Sequence, residues 1–231
     1  MEDFVREGSA LIGYNGPGGR VVVPEGITAL GDRVFAQRDD LTEVVLPTGL
    51  QSIGDFAFLD CTGLIYLDVP ETVSYLGTGS FSGCAHLKYI LLPETLRTLP
   101  PYVFQGSGLT RFRVPSETEE LGRGAFAYCK ELCQLTVSEN VVRIGENLVL
   151  GCGPVTIATP TDSFAAQWAL SQELGEMLQL MPQRPKPVPM AGMDLAALLG
   201  IEVPADGVED KTPTDLSFLL GDDEDDEKLP Q

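Results

Sequence analysis

The stretch Cys61-Thr62-Gly63-Leu64-Ile65-Tyr66-Leu67-Asp68-Val69-Pro70, continued by Glu71-Thr72-Val73-Ser74-Tyr75-Leu76-Gly77-Thr78-Gly79-Ser80-Phe81-Ser82-Gly83, is one complete unit of a repeat. From Leu64 to Val69, inward apolar residues alternate with outward ones, the period-2 signature of a short strand. Pro70 lacks the N–H that a ladder needs and ends the strand. A turn follows, then a second apolar pair (Val73 and Leu76), a glycine, and a return segment carrying Phe81.

The same features recur in both directions. An apolar residue followed by proline stands at Val23-Pro24, Leu46-Pro47, Val69-Pro70, Leu92-Pro93 and Val114-Pro115, with Ser138 in place of the next proline; the steps are 23, 23, 23, 22 and 23. A second column runs Leu30, Ile53, Leu76, Leu99, Leu121, Ile144, usually followed by glycine, and a third runs Phe35, Phe58, Phe81, Phe104, Phe126, ending in Val149. A leucine column (Leu41, Leu64, Leu87, Leu109, Leu132) and a cysteine column (Cys61, Cys84, Cys129, Cys152, with Ser107 in the short unit) complete the pattern. One coil of this length cannot bury its own apolar face, so stacked coils must bury the columns together. The expected architecture is a mostly β repeat solenoid of the α/β type. It has about six right-handed 23-residue coils, a parallel sheet along one side, and a rod roughly 30 Å long at the usual strand spacing.

The unit from Cys61 to Gly83 resembles the BspA-type leucine-rich repeat, whose pattern places Cys, Leu, Ile, Ile-Pro, Val, Ile-Gly and Ala-Phe at these spacings, and Cys84 to Gly106 resembles it almost as fully. The resemblance runs from about Val21 to Ile157. It implies a leucine-rich repeat fold and a binding scaffold, often surface-displayed, with no shared active site. This chain shows neither a secretory signal peptide nor an LPxTG-type sorting tail, so a cytoplasmic location is expected, with the cell surface open only if a leader was removed.

Terminal coils of a solenoid need caps. Residues 1–20 read as an N-terminal cap, a hairpin of Phe4–Gly8 and Ala10–Tyr14 with Glu7-Gly8 in its turn. Residues 21–158 are the solenoid. Residues 159–181 read as a capping helix with Asp162 or Thr161 as N-cap and a stripe of Phe164, Ala165, Trp168 and Ala169; Leu174 to Leu180 suggests a last strand. From 182 to 231 a proline-rich linker (Pro182, Pro185, Pro187, Pro189) leads into a disordered acidic tail. The tail repeats one motif 21 residues apart, Asp194-Leu195-Ala196-Ala197-Leu198-Leu199-Gly200 and Asp215-Leu216-Ser217-Phe218-Leu219-Leu220-Gly221. Each sets an Asp N-cap and a C-terminal Gly around a turn or two of leucine-rich helix, too short to hold alone. The two read either as helix-in-groove ligands that order on binding or as chance clusters in a solubilising tail.

Charge narrows the function. Against 34 acidic residues stand 15 basic ones, a formal charge of −19, which argues against nonspecific nucleic-acid or anionic-membrane binding. No apolar run reaches the ~18 residues of a membrane span. Residues 183–231 hold 12 acids and 4 bases, a net of −8, so more than two-fifths of the imbalance sits in about a fifth of the chain. The lone histidine, His86, occupies a position outside the columns, without a partner nucleophile in the pattern. The cysteines follow repeat spacing rather than metal-ligand spacing, and Cys133 falls on the outward row while Cys129 points inward. Core thiols suit a reducing compartment. The glycines Gly77, Gly79 and Gly83 are turn residues with no helix following, unlike a phosphate loop. No enzyme activity, cofactor or metal site is expected.

If the columns point inward, the intervening strand residues form outward rows. One is Arg20, Glu43, Tyr66, Tyr89, Arg111, Gln134; the second Val22, Val45, Asp68, Leu91, Arg113, Thr136; the third Gly19, Thr42, Ile65, Lys88, Thr110, Cys133. Tyr66 and Tyr89 become neighbours, flanked by Ile65, Leu91, Asp68 and Lys88, with Arg111 and Arg113 alongside. Tyr and Arg are the residue types of binding hot spots, although stacked tyrosines also serve cross-strand packing alone. The expectation is a noncatalytic scaffold that binds a protein or peptide through this face, through the tail residues Leu195, Leu198, Leu199, Leu216, Phe218, Leu219 and Leu220, or both. The acidic tail is itself a candidate occupant of the more basic face. The competing readings are a glycan- or cell-surface-binding adhesin and, more remotely, a hydrolase.

Overall fold

A computed structural model describes residues 3–172 and 174–182. Strands β1 (Phe4–Glu7) and β2 (Ala10–Tyr14) form an antiparallel hairpin at the N-terminus. Six coils follow, each contributing a longer and a two-residue strand. They are β3 (Gly19–Val22) and β4 (Ala29–Leu30), β5 (Leu41–Val45) and β6 (Ser52–Ile53), β7 (Tyr66–Asp68) and β8 (Tyr75–Leu76), β9 (Tyr89–Leu91) and β10 (Thr98–Leu99), β11 (Arg111–Arg113) and β12 (Glu120–Leu121), β13 (Gln134–Thr136) and β14 (Arg143–Ile144). A seventh turn begins with β15 (Thr156–Pro160) and closes through helix α1 (Phe164–Ser171) and β16 (Leu178–Met181).

The coils carry two parallel ladders rather than the one expected. The longer strands form a face ladder in three segments: β3 with β5, β7 with β9, and β11 through β13 and β15 to β16. The two-residue strands form a side ladder in two segments, β4-β6-β8 and β10-β12-β14, the first extended at its edge by the hairpin strands β2 and β1. The break between β8 and β10 has a simple cause. In the other coils a glycine after the short strand donates its N–H to the preceding coil, as Gly54 does to the Leu30 carbonyl at 2.8 Å and Gly77 to that of Ile53 at 2.8 Å. Pro100 stands in that column and has no N–H to give. The face break between β9 and β11 coincides with the 22-residue unit, where Ser107-Gly108-Leu109 replaces the four-residue turn from Cys84 to Leu87.

The third side of each coil is a tight turn held by the phenylalanine column. Phe35, Phe58, Phe81, Phe104 and Phe126 are fully buried. Their rings stack at 5.2, 5.4, 5.6 and 5.5 Å between centroids, and each N–H donates to the carbonyl of the next coil at 2.8 to 3.0 Å. The cysteine column lies behind it. Cys61, Cys84, Cys129 and Cys152 each donate Sγ–H to a phenylalanine carbonyl of the preceding coil, at 3.0 to 3.1 Å. These turns force left-handed backbone at residues such as Asp60, φ +56°, and Tyr128, φ +60°, in the column where Gly83 and Gly151 stand in other coils.

Both ends are closed. At the N-terminus the Tyr14 ring extends the phenylalanine stack to Phe35 at 5.5 Å. Arg38 lies over the Tyr14 ring at 5.0 Å and donates to the Gly16 carbonyl and the Asp40 carboxylate at 2.9 and 2.8 Å. At the C-terminus α1 packs Ala165, Ala166 and Ala169 against the last coil. Two details differ from the sequence reading. The N-cap is Ser163, whose hydroxyl accepts from the Ala166 N–H at 3.1 Å, rather than Asp162 or Thr161. Phe164 is exposed rather than part of the buried stripe, because the helix phase puts Ala166 inward instead.

Two substitutions test this core. Truncating the middle ring of the stack, Phe81→Ala, should cost about 3–5 kcal/mol in chemical denaturation. Ser80 is fully buried, and its hydroxyl lacks a hydrogen-bond partner among the described residues. Alanine occupies the same column at Ala57 and Ala125, so Ser80→Ala should stabilise by about 1 kcal/mol.

Candidate functional site

The period-2 pattern of β7 and β9 decides which side chains meet solvent. Leu67 and Ile90 face the core, and the in-register pairs Tyr66 with Tyr89 and Asp68 with Leu91 face outward. Ile65 and Lys88 are tied by the Lys88 N–H to the Ile65 carbonyl at 2.9 Å. The large apolar side chains of this face are well exposed: Ile65 54%, Tyr66 43%, Tyr89 65% and Leu91 56%. The structure thus brings together the four that the row arithmetic placed side by side. Partial burial, and secondarily the Asp68 carboxylate, push the Tyr66 phenol above its ordinary pKa.

Arg111 and Arg113 point outward on β11, either side of buried Phe112. The strands β9 and β11 are not hydrogen-bonded to each other, so these arginines border the tyrosine pair across the face break. The face is also less basic than its sequence suggests. Lys88 ion-pairs with Glu131 and Arg113 with Glu94, acids supplied by turns of other coils, while Arg20 reaches Glu43 at 3.1 Å. Glu94 is held below the usual carboxylate range: desolvation opposes this, but the Ser116 N–H and the Arg113 guanidinium outweigh it.

A cleft absent from the sequence reading opens where the ladder is interrupted between β5 and β7. It measures about 340 Å³ and is lined by Glu43, Val45, Thr48, Tyr66, Asp68 and Pro70. A second groove of about 300 Å³ lies at the far end of the face, among Arg113, Val114, Thr136, Val137, Pro160 and Met181. No periodic signal marks either, since both arise from local loss of strand pairing and from the closing strand. The tail residues Leu195, Leu198, Leu199, Leu216, Phe218, Leu219 and Leu220 lie outside the described residues.

The groups with catalytic or metal-binding potential are engaged in the fold. His86 Nδ1 sits 2.7 Å from the Thr62 carbonyl oxygen on an exposed turn. Burial pushes the Cys61 thiol up to about 12 and the Cys84 thiol well above its ordinary value. The neighbouring Cys129 sulfur and burial push the Cys152 thiol up, while the Cys152 and Ser107 neighbours lower that of Cys129. Among the described residues, no three His, Cys, Asp or Glu side chains cluster as a metal site, and no helix is long and apolar enough to cross a membrane. At pH 8 a thiol reagent should therefore modify one cysteine of the native protein rapidly, the exposed Cys133, and all five after denaturation; several fast native thiols would contradict this packing.

Comparison with curated proteins finds no match. Among solved structures, a leucine-rich repeat protein from Eubacterium ventriosum superposes with a TM-score of 0.54 at 18% identity, over 65% of this chain and 50% of that one. The chain thus matches about half the length of that structure, and the likeness concerns the fold. A leucine-rich cell surface protein from Faecalibacterium prausnitzii gives 0.38 at 16% identity, over 67% and 73% of the two chains. The T. pallidum leucine-rich repeat protein gives 0.39 at 19%, over 75% and 91%. The model of the BspA type leucine-rich repeat region matches in six copies, over residues 19–133 and 53–165. With its repeat columns, stacked coils and most of its length accounted for by that match, the chain belongs to the BspA-type leucine-rich repeat family.

Proposed function

We propose that this protein is a noncatalytic scaffold that binds another protein through the patch centred on Tyr66 and Tyr89. The observation that carries the reading is the exposure of Ile65, Tyr66, Tyr89 and Leu91 as one cluster on paired strands. A contiguous apolar patch fixed on rigid strands loses little conformational entropy on binding, and tyrosines in such settings act as anchors. Asp68, Lys88, Arg111 and Arg113 form its polar rim. The noncatalytic part is supported by the engagement of His86 and the core thiols with backbone carbonyls. Stacked free thiols support a reducing, cytoplasmic setting.

The tail is the second binding element of this reading. Its motifs around Leu195, Leu198 and Leu199 and around Leu216, Phe218, Leu219 and Leu220 have the composition of short helical ligands that order on a groove. The acidic tail can also compete for the face in cis or by exchange between protomers.

Affinity capture with the full chain and with the double variant Tyr66→Ala/Tyr89→Ala tests the face. Loss of two anchors should weaken capture at least about tenfold, whereas Val142→Ala, exposed elsewhere on the solenoid, should leave it unchanged. Equal capture by the double variant sinks the face reading. Deleting residues 183–231 and following amide protection around Tyr66 and Tyr89 tests tail docking; unchanged protection rules it out there.

A further inference from the structure

We propose that the Tyr66–Tyr89 face pairs two copies of this chain about a twofold axis that runs parallel to the strands and over β9. The assignment of a partner rests on the docking role proposed above.

The argument starts from the charges on the three outward rows of the face. Arg20 is paired with Glu43, Lys88 with Glu131 and Arg113 with Glu94. Among the described residues, the charged side chains of these rows left without an ion pair are Asp68 and Arg111. They have opposite signs and sit on β7 and β11, one coil to either side of β9. At ~4.8 Å per strand they are roughly 10 Å apart, too far to neutralise each other within one chain. Between them lie Tyr89 and Leu91, the two most exposed large apolar side chains of the face.

That arrangement is antisymmetric in charge about β9, which is what an isologous contact needs. A twofold along β9 lays β7 of one copy over β11 of the other, twice. The Tyr66 ring then lies opposite the Arg111 guanidinium, a cation–π geometry, and Asp68 falls within reach of Arg111 and Arg113. Tyr89 and Leu91 meet their own copies on the axis, where water is excluded. Lys88 also lies near the axis, but Glu131 neutralises it. Farther out, β5 meets β13 and β3 meets β15, which sets Glu43 and Arg20 against the uncharged Gln134 and Thr156. The other in-plane twofold, along the stack of coils, lays Arg111 beside Arg113 of the second copy and Asp68 beside Tyr66, so it gains no ion pair.

The face is small. Seven strands at ~4.8 Å by about three exposed residues at ~3.3 Å gives a strip of roughly 340 Å² per copy, below the size of a standard interface, so the dimer should be weak, reversible and salt-sensitive.

Sedimentation velocity of the full chain from about 1 to 200 μM, at low salt, is the test. The expected result is a concentration-dependent dimer. Asp68→Lys and Arg111→Glu should each weaken it at least about tenfold, and the two together should return it to within about threefold of wild type, because the substituted charges stay within reach of each other diagonally across the contact. Far-UV circular dichroism confirms that each variant is folded. A monomer at every concentration overturns the proposal, as does a dimer indifferent to the single reversals. A dimer lost instead on Leu198→Asp or Leu219→Asp would assign the contact to tail exchange and also overturn it. These failures are distinct from failure of the docking role, which shows as partner capture insensitive to Tyr66→Ala/Tyr89→Ala.

Discussion

At every junction between coils in this column, one phenylalanine does two things: its ring stacks on the ring of the next coil, and its N–H bonds to that coil's backbone. The column runs unbroken from Phe35 to Phe126, with Tyr14 extending it at one end. The two strand ladders, by contrast, are interrupted. Offset stacking contributes ~0.5–1.5 kcal/mol per pair beyond the area buried, but the register it imposes matters more. A slip of one residue would turn every outward side chain inward. The alignment of Tyr66 with Tyr89 follows the same 23-residue step that stacks Phe58 on Phe81.

The thiols reinforce the same side of the coil. A small side chain is needed where the turn closes against the preceding phenylalanine carbonyl, and a thiol both fits and donates. Ser107 fills that position in the short unit and bonds to Cys129 at 3.3 Å instead, keeping the column continuous where the turn is one residue shorter. These cysteines are parts of the packing, and their raised or shielded thiols leave little for chemistry.

The inward columns were legible because burial repeats at a fixed interval, and a period visible five or six times leaves little freedom in the fold. The outward rows followed by subtraction. Several features escaped for physical reasons. A strand of two residues, such as Tyr75–Leu76, is too short to show alternation, so the column ending in Leu76 and its equivalents marked burial without marking a second ladder. Lys88 reaches Glu131 across 43 positions of sequence, a pairing set by long side chains bending over a neighbouring coil rather than by spacing. The left-handed backbone at Asp60 and Tyr128 is imposed by the stack on residues with no intrinsic preference for it. At the C-terminal cap, Asp162, Thr161 and Ser163 are all competent caps, and only the helix phase selects Ser163.

The interruptions of the ladders also have a spatial order. The face ladder opens between the second and third coils and again between the fourth and fifth, while the side ladder opens between the third and fourth, at Pro100. No junction loses both at once. Like masonry laid with staggered joints, the stack has no plane along which it can part by breaking only one kind of bond. A solenoid is in principle divisible at any junction, since each coil touches only its neighbours. Among the first five coils the offset seams oblige any fracture to cut an intact ladder as well as the aromatic column, which favours a cooperative unit over a string of separable coils.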